Sequence, residues 1–371
     1  MEPSLLAVLP GLLIWLSILL LPWRPWSTRE SLDSQSDIQN RDLSDITVLI
    51  PARNEALTIA ETLSALKQQG NDLNIILVDD QSSDNTAELA KSIKLNKLSI
   101  ISGTEIPEGW SGKLWALEQG RQYVETPYLI LLDADIVLEK NLIPVVLEKV
   151  KSEQLQMLSL MAFLKMHSFW EKLLMPAFIF FFKLLYPFHL SNKPGSRIAA
   201  AAGGFIFIGT NVLEELGGFN CIKDALIDDC SLAKQVKQKK HKIWTGMTHS
   251  ATSIRSYDTL SSIWQMVART AYTQLFYSPL LLLLCTLLMI AAFGLPIAAL
   301  LQSQSLIFTM GLFILGLQVI CYLPTLRYYS MNPVYALTLP FIGMLYLVMT
   351  WSSAYRYYFG KGANWKGRYY N

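Results

Sequence analysis

Asn74-Ile-Ile-Leu-Val-Asp-Asp80 and Pro127-Tyr-Leu-Ile-Leu-Leu-Asp-Ala-Asp135 are short apolar runs, and each ends in closely spaced carboxylates. Apolar runs of this length, bounded by polar residues, read as strands buried on both faces of a sheet. In open α/β sheets ligands bind beyond the carboxyl ends of the strands, so acidic residues repeatedly placed there point to one shared site. A third cluster, Asp228-Asp229, lies further along. Carboxylates so close together repel one another unless a cation joins them. A hard divalent metal with a phosphorylated substrate is the chemistry this pattern favours.

The surrounding chain alternates. Strands are expected at 46–52, 74–80, 98–102 and 127–133, with helices at 56–69, 84–95 and 113–124 between them. That alternation predicts βαβ units and a mostly parallel sheet with flanking helices. Asp84-Asn85-Thr86 supplies the residue types that cap a helix start. Residues 155–166 and 199–210 are further strand candidates, and a helix is expected to run from Cys230 to Lys240.

Composition separates a polar domain from a membrane part. Hydrophobic residues make up 52% of the 371 positions and charged ones 16%, against roughly 25% charged in a typical soluble domain. A net charge of +2 leaves no nucleic-acid footprint. The four cysteines show no metal-ligand spacing.

Residues 275–301, 306–324 and 334–351 are each long enough to cross about 30 Å of hydrocarbon. Residues 5–21 form another apolar stretch, with Arg24 and Arg29 just beyond it. That charge placement puts the start of the chain outside and the residues after Trp23 in the cytoplasm. The expected organisation is therefore an anchor over 1–26 and a polar linker over 27–44. A catalytic domain over 45–274, three apolar segments over 275–355 and a basic tail over 356–371 complete it. Three crossings would put Arg356, Lys361, Lys366 and Arg368 outside, against their preference; either one segment is re-entrant or the charge rule fails. The apolar stretch at about 168–190 carries Glu171, Lys172 and Lys183, so it reads as an interfacial helix or as a buried core helix.

In order and spacing, five motifs resemble the membrane-bound family 2 glycosyltransferases. They are Pro51-Ala-Arg-Asn-Glu55, Val78-Asp-Asp-Gln-Ser-Ser-Asp84, Gly112-Lys-Leu-Trp-Ala-Leu-Glu-Gln-Gly120, Asp133-Ala-Asp135, and Gly217-Gly-Phe219 with Ile227-Asp-Asp-Cys-Ser-Leu232. Gly109-Trp-Ser-Gly-Lys113, Ser168-Phe-Trp-Glu-Lys172 and Val267-Ala-Arg-Thr270 are similar to the subgroup associated with hopanoid biosynthesis.

The resemblance implies a GT-A nucleotide-diphospho-sugar transferase domain with transmembrane helices at both ends. It also implies inverting sugar transfer from a nucleotide-sugar donor to a membrane lipid acceptor on the cytoplasmic face of a bacterial inner membrane. The subgroup likeness makes a hopanoid-related lipid a candidate acceptor. By the family resemblance Asp135 binds Mg2+ or Mn2+, Asp133 assists at the metal or at the ribose of the nucleotide-sugar, and Asp229 is the general base. Ala52, Glu55 and Asp80 hold the nucleotide. Lys113 meets phosphate oxygens or is an exposed helix-start lysine, and Arg269 meets the diphosphate or lipid headgroups. Asp228 stands where the family usually has Glu, and it orients Asp229 or caps its helix. Gln265 and Arg269 fit the Gln-x-x-Arg-Trp signature of processive synthases only loosely, with Thr270 in place of Trp, which disfavours polymer synthesis.

His249 is expected to be structural. Leu131-Leu-Asp-Ala-Asp-Ile-Val137 also fits a haloacid-dehalogenase phosphotransferase loop, in which the first Asp is a nucleophile. An inactive membrane scaffold is the remaining alternative.

Overall fold

The computed structural model describes residues 3–36, 41–360, 363–365 and 368–370. Lys361, Lys366 and the Arg368 side chain lie outside the described residues, as do linker positions 37–40. The chain opens with α1 (Pro3–Leu20), then β1 (Ile46–Ala52), α2 (Ile59–Leu66), β2 (Asn74–Asp79), α3 (Thr86–Ser92) and β3 (Leu98–Ser102). Next come α4 (Gly112–Arg121), β4 (Tyr128–Leu132), β5 (Ile136–Leu138), α5 (Leu142–Glu153) and β6 (Met157–Leu164). After α6 (Phe169–Leu185) and α7 (Phe188–Asn192) come β7 (Phe205–Gly209), α8 (Thr210–Glu215), α9 (Asp228–Gln238) and β8 (Ile243–Ser253). The apolar part begins after α10 (Leu260–Thr270) with α11 (Pro279–Met289) and α12 (Leu295–Ala299), and continues with α13 (Ser305–Tyr328) and α14 (Leu339–Phe359).

Eight strands form one sheet in the order β3-β2-β1-β4-β7-β6-β8-β5. The first four are parallel, as the βαβ alternation predicts. The second half is mixed: β7 runs antiparallel to β4 and β6, β8 is parallel to β6, and β5 is antiparallel to β8. Every residue of β1 is buried, which explains its unbroken apolar run. Helices α2, α3 and α5 cover one face through Leu63, Ala90 and Val146, while α4, α8 and α9 cover the other through Leu117, Leu213 and Val236.

The turn Asp133-Ala-Asp135 carries the chain out of the sheet's centre to its far edge. β4 ends beside β7, and β5 pairs with the last residues of β8, Ile136 opposite Ser253. Four hydrogen bonds pin that crossing: Asp133 N–H to Gly204 O, Ile136 N–H to Asp133 O, Ile254 N–H to Asp135 O, and Thr62 Oγ1 to Ala134 O. The linker is also docked. Leu32 and Glu30 exchange backbone hydrogen bonds with Met247 of β8, and Asp33 accepts from His249 N–H at 2.6 Å.

Three segments, Pro279–Ala299, Ser305–Tyr328 and Pro333–Phe359, are long and apolar enough to cross a membrane. The N-terminal apolar helix over Leu6–Leu20 is shorter than the about 20 residues a span needs. These helices share one core with α6 and α10, centred on Trp15, Phe180, Phe293, Tyr322 and Tyr346. The expected helix near 168–190 breaks at Tyr186-Pro187 and so becomes α6 and α7. α6 packs against the sheet domain through Ile179 and against the apolar helices through Leu174 and Phe180.

The junction of α11 and α12 shows why Trp15 sits where it does. Pro296 has no N–H to offer the Ala292 carbonyl four residues earlier, and the helix widens into a π turn over Ile290–Gly294. That carbonyl accepts instead from Trp15 Nε1 and Gln318 Nε2, each at 2.9 Å. Gly11 allows the close approach, since a Cβ there would stand 2.4 Å from the Ala291 carbonyl oxygen. In an apolar surround an unmet carbonyl is costly. Trp15→Phe should therefore lower stability by about 1 kcal/mol, because Gln318 still serves the carbonyl. Adding Gln318→Met should cost more than the sum of the two single changes, measured by reversible unfolding in mixed detergent micelles.

Candidate functional site

The carboxyl ends of β1 and β4, the start of α4, the start of α9 and the end of β8 converge on a cavity of about 440 Å³. Glu55, Asp133, Asp135, Asp228 and Asp229 all line it, with Lys113 and Arg255 among them. The three acidic clusters are not equivalent here. The second and third reach the cavity; Asp79 and Asp80 do not line it.

Lys113 is the second residue of α4, whose N-cap Ser111 accepts from Leu114 N–H. Its ammonium lies 2.9 Å from Asp133 Oδ1 and 3.2 Å from Asp228 Oδ2. Burial works against the charged lysine, but Asp133 and then Asp228 outweigh it and hold the ammonium protonated far above the ordinary range. Burial raises the Asp133 carboxyl, and Lys113 only partly offsets this. Of the two readings of Lys113, the exposed helix-start lysine does not match the structure.

Asp229 is the second residue of α9 and faces the loop before β7. Its Oδ2 accepts from Gly203 N–H at 2.8 Å and its Oδ1 from Cys230 N–H at 2.7 Å. The approach at Gly203 is tight: a Cβ there would lie 3.2 Å from Lys113 Nζ, so that the ammonium would have to give slightly, and 3.4 Å from Asp229 Oδ2. Burial, and next the neighbouring Asp228, push the Asp229 carboxyl up to about 7 against the pull of those N–H groups and Lys113. A carboxylate poised near neutrality suits general-base work.

Arg255, two residues beyond β8, was not anticipated from the sequence. Its Nε donates to Asp135 Oδ2 at 2.9 Å and its Nη2 to Glu55 Oε1 at 2.7 Å, while Ser253 Oγ donates to the same Asp135 oxygen at 3.2 Å. The loop bearing Arg255 is fixed by Glu171. That carboxylate closes a capping box with Ser168 at the start of α6 and also accepts from Tyr257 N–H at 2.7 Å. Part of the Ser168-Phe-Trp-Glu-Lys172 motif thus has a structural explanation.

The residues expected to hold the nucleotide are stitched into paired loops beside the cavity. Asp80 N–H donates to the Ala52 carbonyl at 2.8 Å, and Arg53 Nη1 donates to the Asp80 carbonyl at 2.5 Å. Asn54 N–H bonds Ser82 Oγ, Glu55 N–H bonds Thr86 Oγ1, and Asp79 Oδ1 accepts from Ser82 N–H, the turn-capping use of that aspartate. Ala52 and Asp80 are buried, and of this group only Glu55 reaches the cavity. Arg269 stands on the last turn of α10 at the cavity's opposite, apolar side. His249 is structural: its ring nitrogens face Asp33 and the Tyr328 carbonyl, and its ring stacks on Tyr328 at 4.1 Å.

Asp133 and Asp135 have the donor chemistry for a hard cation, because Mg2+ binds through one or two carboxylates together with substrate phosphates and water. Among the described residues no group of three or more His, Cys, Asp or Glu forms a protein cage. The wall opposite the carboxylates is apolar and comes from α6: Met175, Phe178, Ile179 and Phe182, joined by Met161 and Met266.

Residues 47–217 match the profile of Glycosyl transferase family 2. The poly-beta-1,6-N-acetyl-D-glucosamine synthase of Staphylococcus aureus (strain COL) is 40% identical over 116 residues, 30% of this chain and 27% of that protein. The 4,4'-diaponeurosporenoate glycosyltransferase of Staphylococcus haemolyticus (strain JCSC1435) is 25% identical over 192 residues, 52% of this chain. The chain thus spans 27% and 44% of the length of these two curated relatives. Among solved structures, a mannosyltransferase from Pyrobaculum calidifontis in complex with GDP-Man and Mn2+ superposes with a TM-score of 0.56 at 16% identity. It covers 92% of this chain and 98% of that one, a likeness of fold. With the strand order and the acidic turn after β4, these matches identify residues 47–217 as a Glycosyl transferase family 2 domain on the GT-A fold.

Proposed function

We propose that this chain is an inverting glycosyltransferase that moves a sugar from a nucleotide-sugar donor to a hydroxyl-bearing membrane lipid. One observation carries the reading: a single cavity joins a carboxylate floor, containing Asp229, to an apolar wall built by α6. The floor suits a donor with a charged diphosphate, and the wall suits an acceptor with an apolar body. A hopanoid-related lipid is the acceptor to which the subgroup resemblance points. The dehalogenase-type alternative is set aside, because the Asp133–Asp135 turn comes after the fourth strand of a transferase domain.

In this mechanism Asp229, held by the Gly203 and Cys230 N–H groups, takes the proton from the acceptor hydroxyl as that oxygen attacks the anomeric carbon. One displacement at that carbon inverts its configuration. Lys113 offsets the charge of Asp133 and Asp228 and keeps the base's surroundings from becoming too anionic to ionise. Glu55, with the loops around Ala52 and Asp80, positions the nucleoside, and Arg269 sits where headgroups or diphosphate oxygens approach. Asp135 and Asp133 would hold Mg2+ or Mn2+, whose role when bound is to neutralise the leaving diphosphate.

We further propose that the sheet domain and the C-terminal residues share the cytoplasmic side of the membrane. The end of α14 bonds to the α10 region, Ser352 to Trp264 and Ser353 to Tyr272, and Trp351 reaches Thr286 in the last turn of α11. α13 meanwhile ends against His249 of the sheet. Both ends of α14 thus lie near the sheet domain, which supports the re-entrant alternative and suits Arg356.

Four outcomes test this reading. With the full chain in lipid nanodiscs containing candidate lipids, Asp229→Asn should slow nucleoside diphosphate release by on the order of 10²-fold or more while nucleotide affinity stays within about twofold. In the wild type kcat/KM should fall with unit slope below about pH 7, because only the ionised Asp229 accepts a proton.

The same residue sets a stability difference. A carboxyl whose folded-state pKa is raised binds its proton more tightly when folded, so wild-type stability should drop as pH rises from about 4 to about 7. Asp229→Asn should lack that drop, so thermal unfolding should show the stability difference between wild type and variant moving in the variant's favour from pH 4 to pH 8. Finally, Phe182→Asn should raise KM for the lipid severalfold without changing nucleotide affinity; an unchanged KM would remove α6 from the acceptor site.

A further inference from the structure

The carboxylates that a divalent cation would use already carry counter-charges supplied by the chain. Arg255 forks between Asp135 and Glu55, whose side chains are only 8% and 11% exposed. Ser253 adds a second contact to the same Asp135 oxygen. A guanidinium does not lose its proton in proteins, so this counter-charge is permanent. The fork joins a loop residue to two distant strand ends, and Glu171 steadies it through Tyr257. A cation arriving at Asp135 must displace the guanidinium from Oδ2 or sit beside a like charge, and either route weakens binding. A diphosphate offers the same fork a better-matched set of oxygens, since guanidinium groups bind phosphate through parallel N–H donors.

We propose that Arg255 is a positioning residue that keeps Asp135 occupied until a nucleoside diphosphate draws the guanidinium away. The divalent cation then binds weakly alone and tightly with the nucleotide. This rests on the reading of the cavity as a nucleotide-sugar site. It makes cation and nucleotide mutually dependent, each tightening the other by the same factor. Such coupling keeps the carboxylate floor from trapping free cation when no donor is present.

The test measures Mn2+ binding to the full chain in nanodiscs, by electron paramagnetic resonance of the free ion, with and without UDP or GDP. Wild type should bind Mn2+ about tenfold more tightly once the matching nucleotide is present. Arg255→Gln should bind Mn2+ alone about tenfold more tightly than wild type, with the nucleotide effect falling towards none. Arg255→Lys, which reaches one carboxylate only, should lie between them, and it is read alone if the Gln variant does not fold.

An Arg255→Gln protein (or, if that is unfolded, an Arg255→Lys protein) binding Mn2+ no tighter than wild type overturns the proposal. If Asp135→Asn then still abolishes Mn2+ binding, the metal-ligand reading survives that failure. If Asp135→Asn leaves Mn2+ binding intact, the ligand reading and the proposal fall together.

Discussion

The structure depends on balancing negative charge in one partly desolvated place. Five carboxylates line a single cavity, and two protein cations, Lys113 and Arg255, hold four of them in salt bridges. The fifth, Asp229, is held by backbone N–H groups instead, and burial with the neighbouring Asp228 pushes it up to about 7. Each cation comes from a different part of the sheet, so the charge balance forms only when the whole domain has folded. The crossing from β4 to β5 is the geometric device that makes this possible, because it lays Asp133 and Asp135 across the gap between the sheet's centre and its edge.

The second constraint is the seam between that domain and the apolar helices. α6 carries both duties. Its Phe180 and Leu174 pack into the core shared with α1, α13 and α14, while Met175, Phe178 and Phe182 face the cavity. Lys183, buried near its end, donates to the Ser27 carbonyl and ties the segment after α1 to the same helix. α6 therefore links the apolar bundle to the apolar lining of the cavity and, through Glu171 and Tyr257, to the loop that carries Arg255.

What the sequence disclosed was local. β1, β2 and β4 were legible because burial on both faces leaves unbroken apolar runs, and the acidic residues ending β4 stand where ligands bind in open α/β sheets. The long strand β8 was not legible, since Thr245, Thr248 and Ser250 are buried polar residues that break its apolar pattern. Missing β8 hid Arg255, whose partners Asp135 and Glu55 lie 120 and 200 positions away. β5 is three residues long and directly follows another strand, so periodicity has nothing to register. The role of α6 was equally hidden: an apolar helix with a few charges looks alike whether it meets lipid, core or substrate. Helix ends shifted for ordinary reasons, as at Tyr186-Pro187, where proline cannot continue the helix.

The central claim is that donor and acceptor meet in this one cavity, with Asp229 between them. A structure of the full chain in lipid with Mn2+ and a non-transferable nucleotide-sugar tests it directly. The account predicts the diphosphate beside Asp135 and Arg255, and the anomeric carbon between Asp229 and the α6 wall. A nucleotide bound elsewhere, or a sugar whose reactive face is turned away from Asp229, would contradict it.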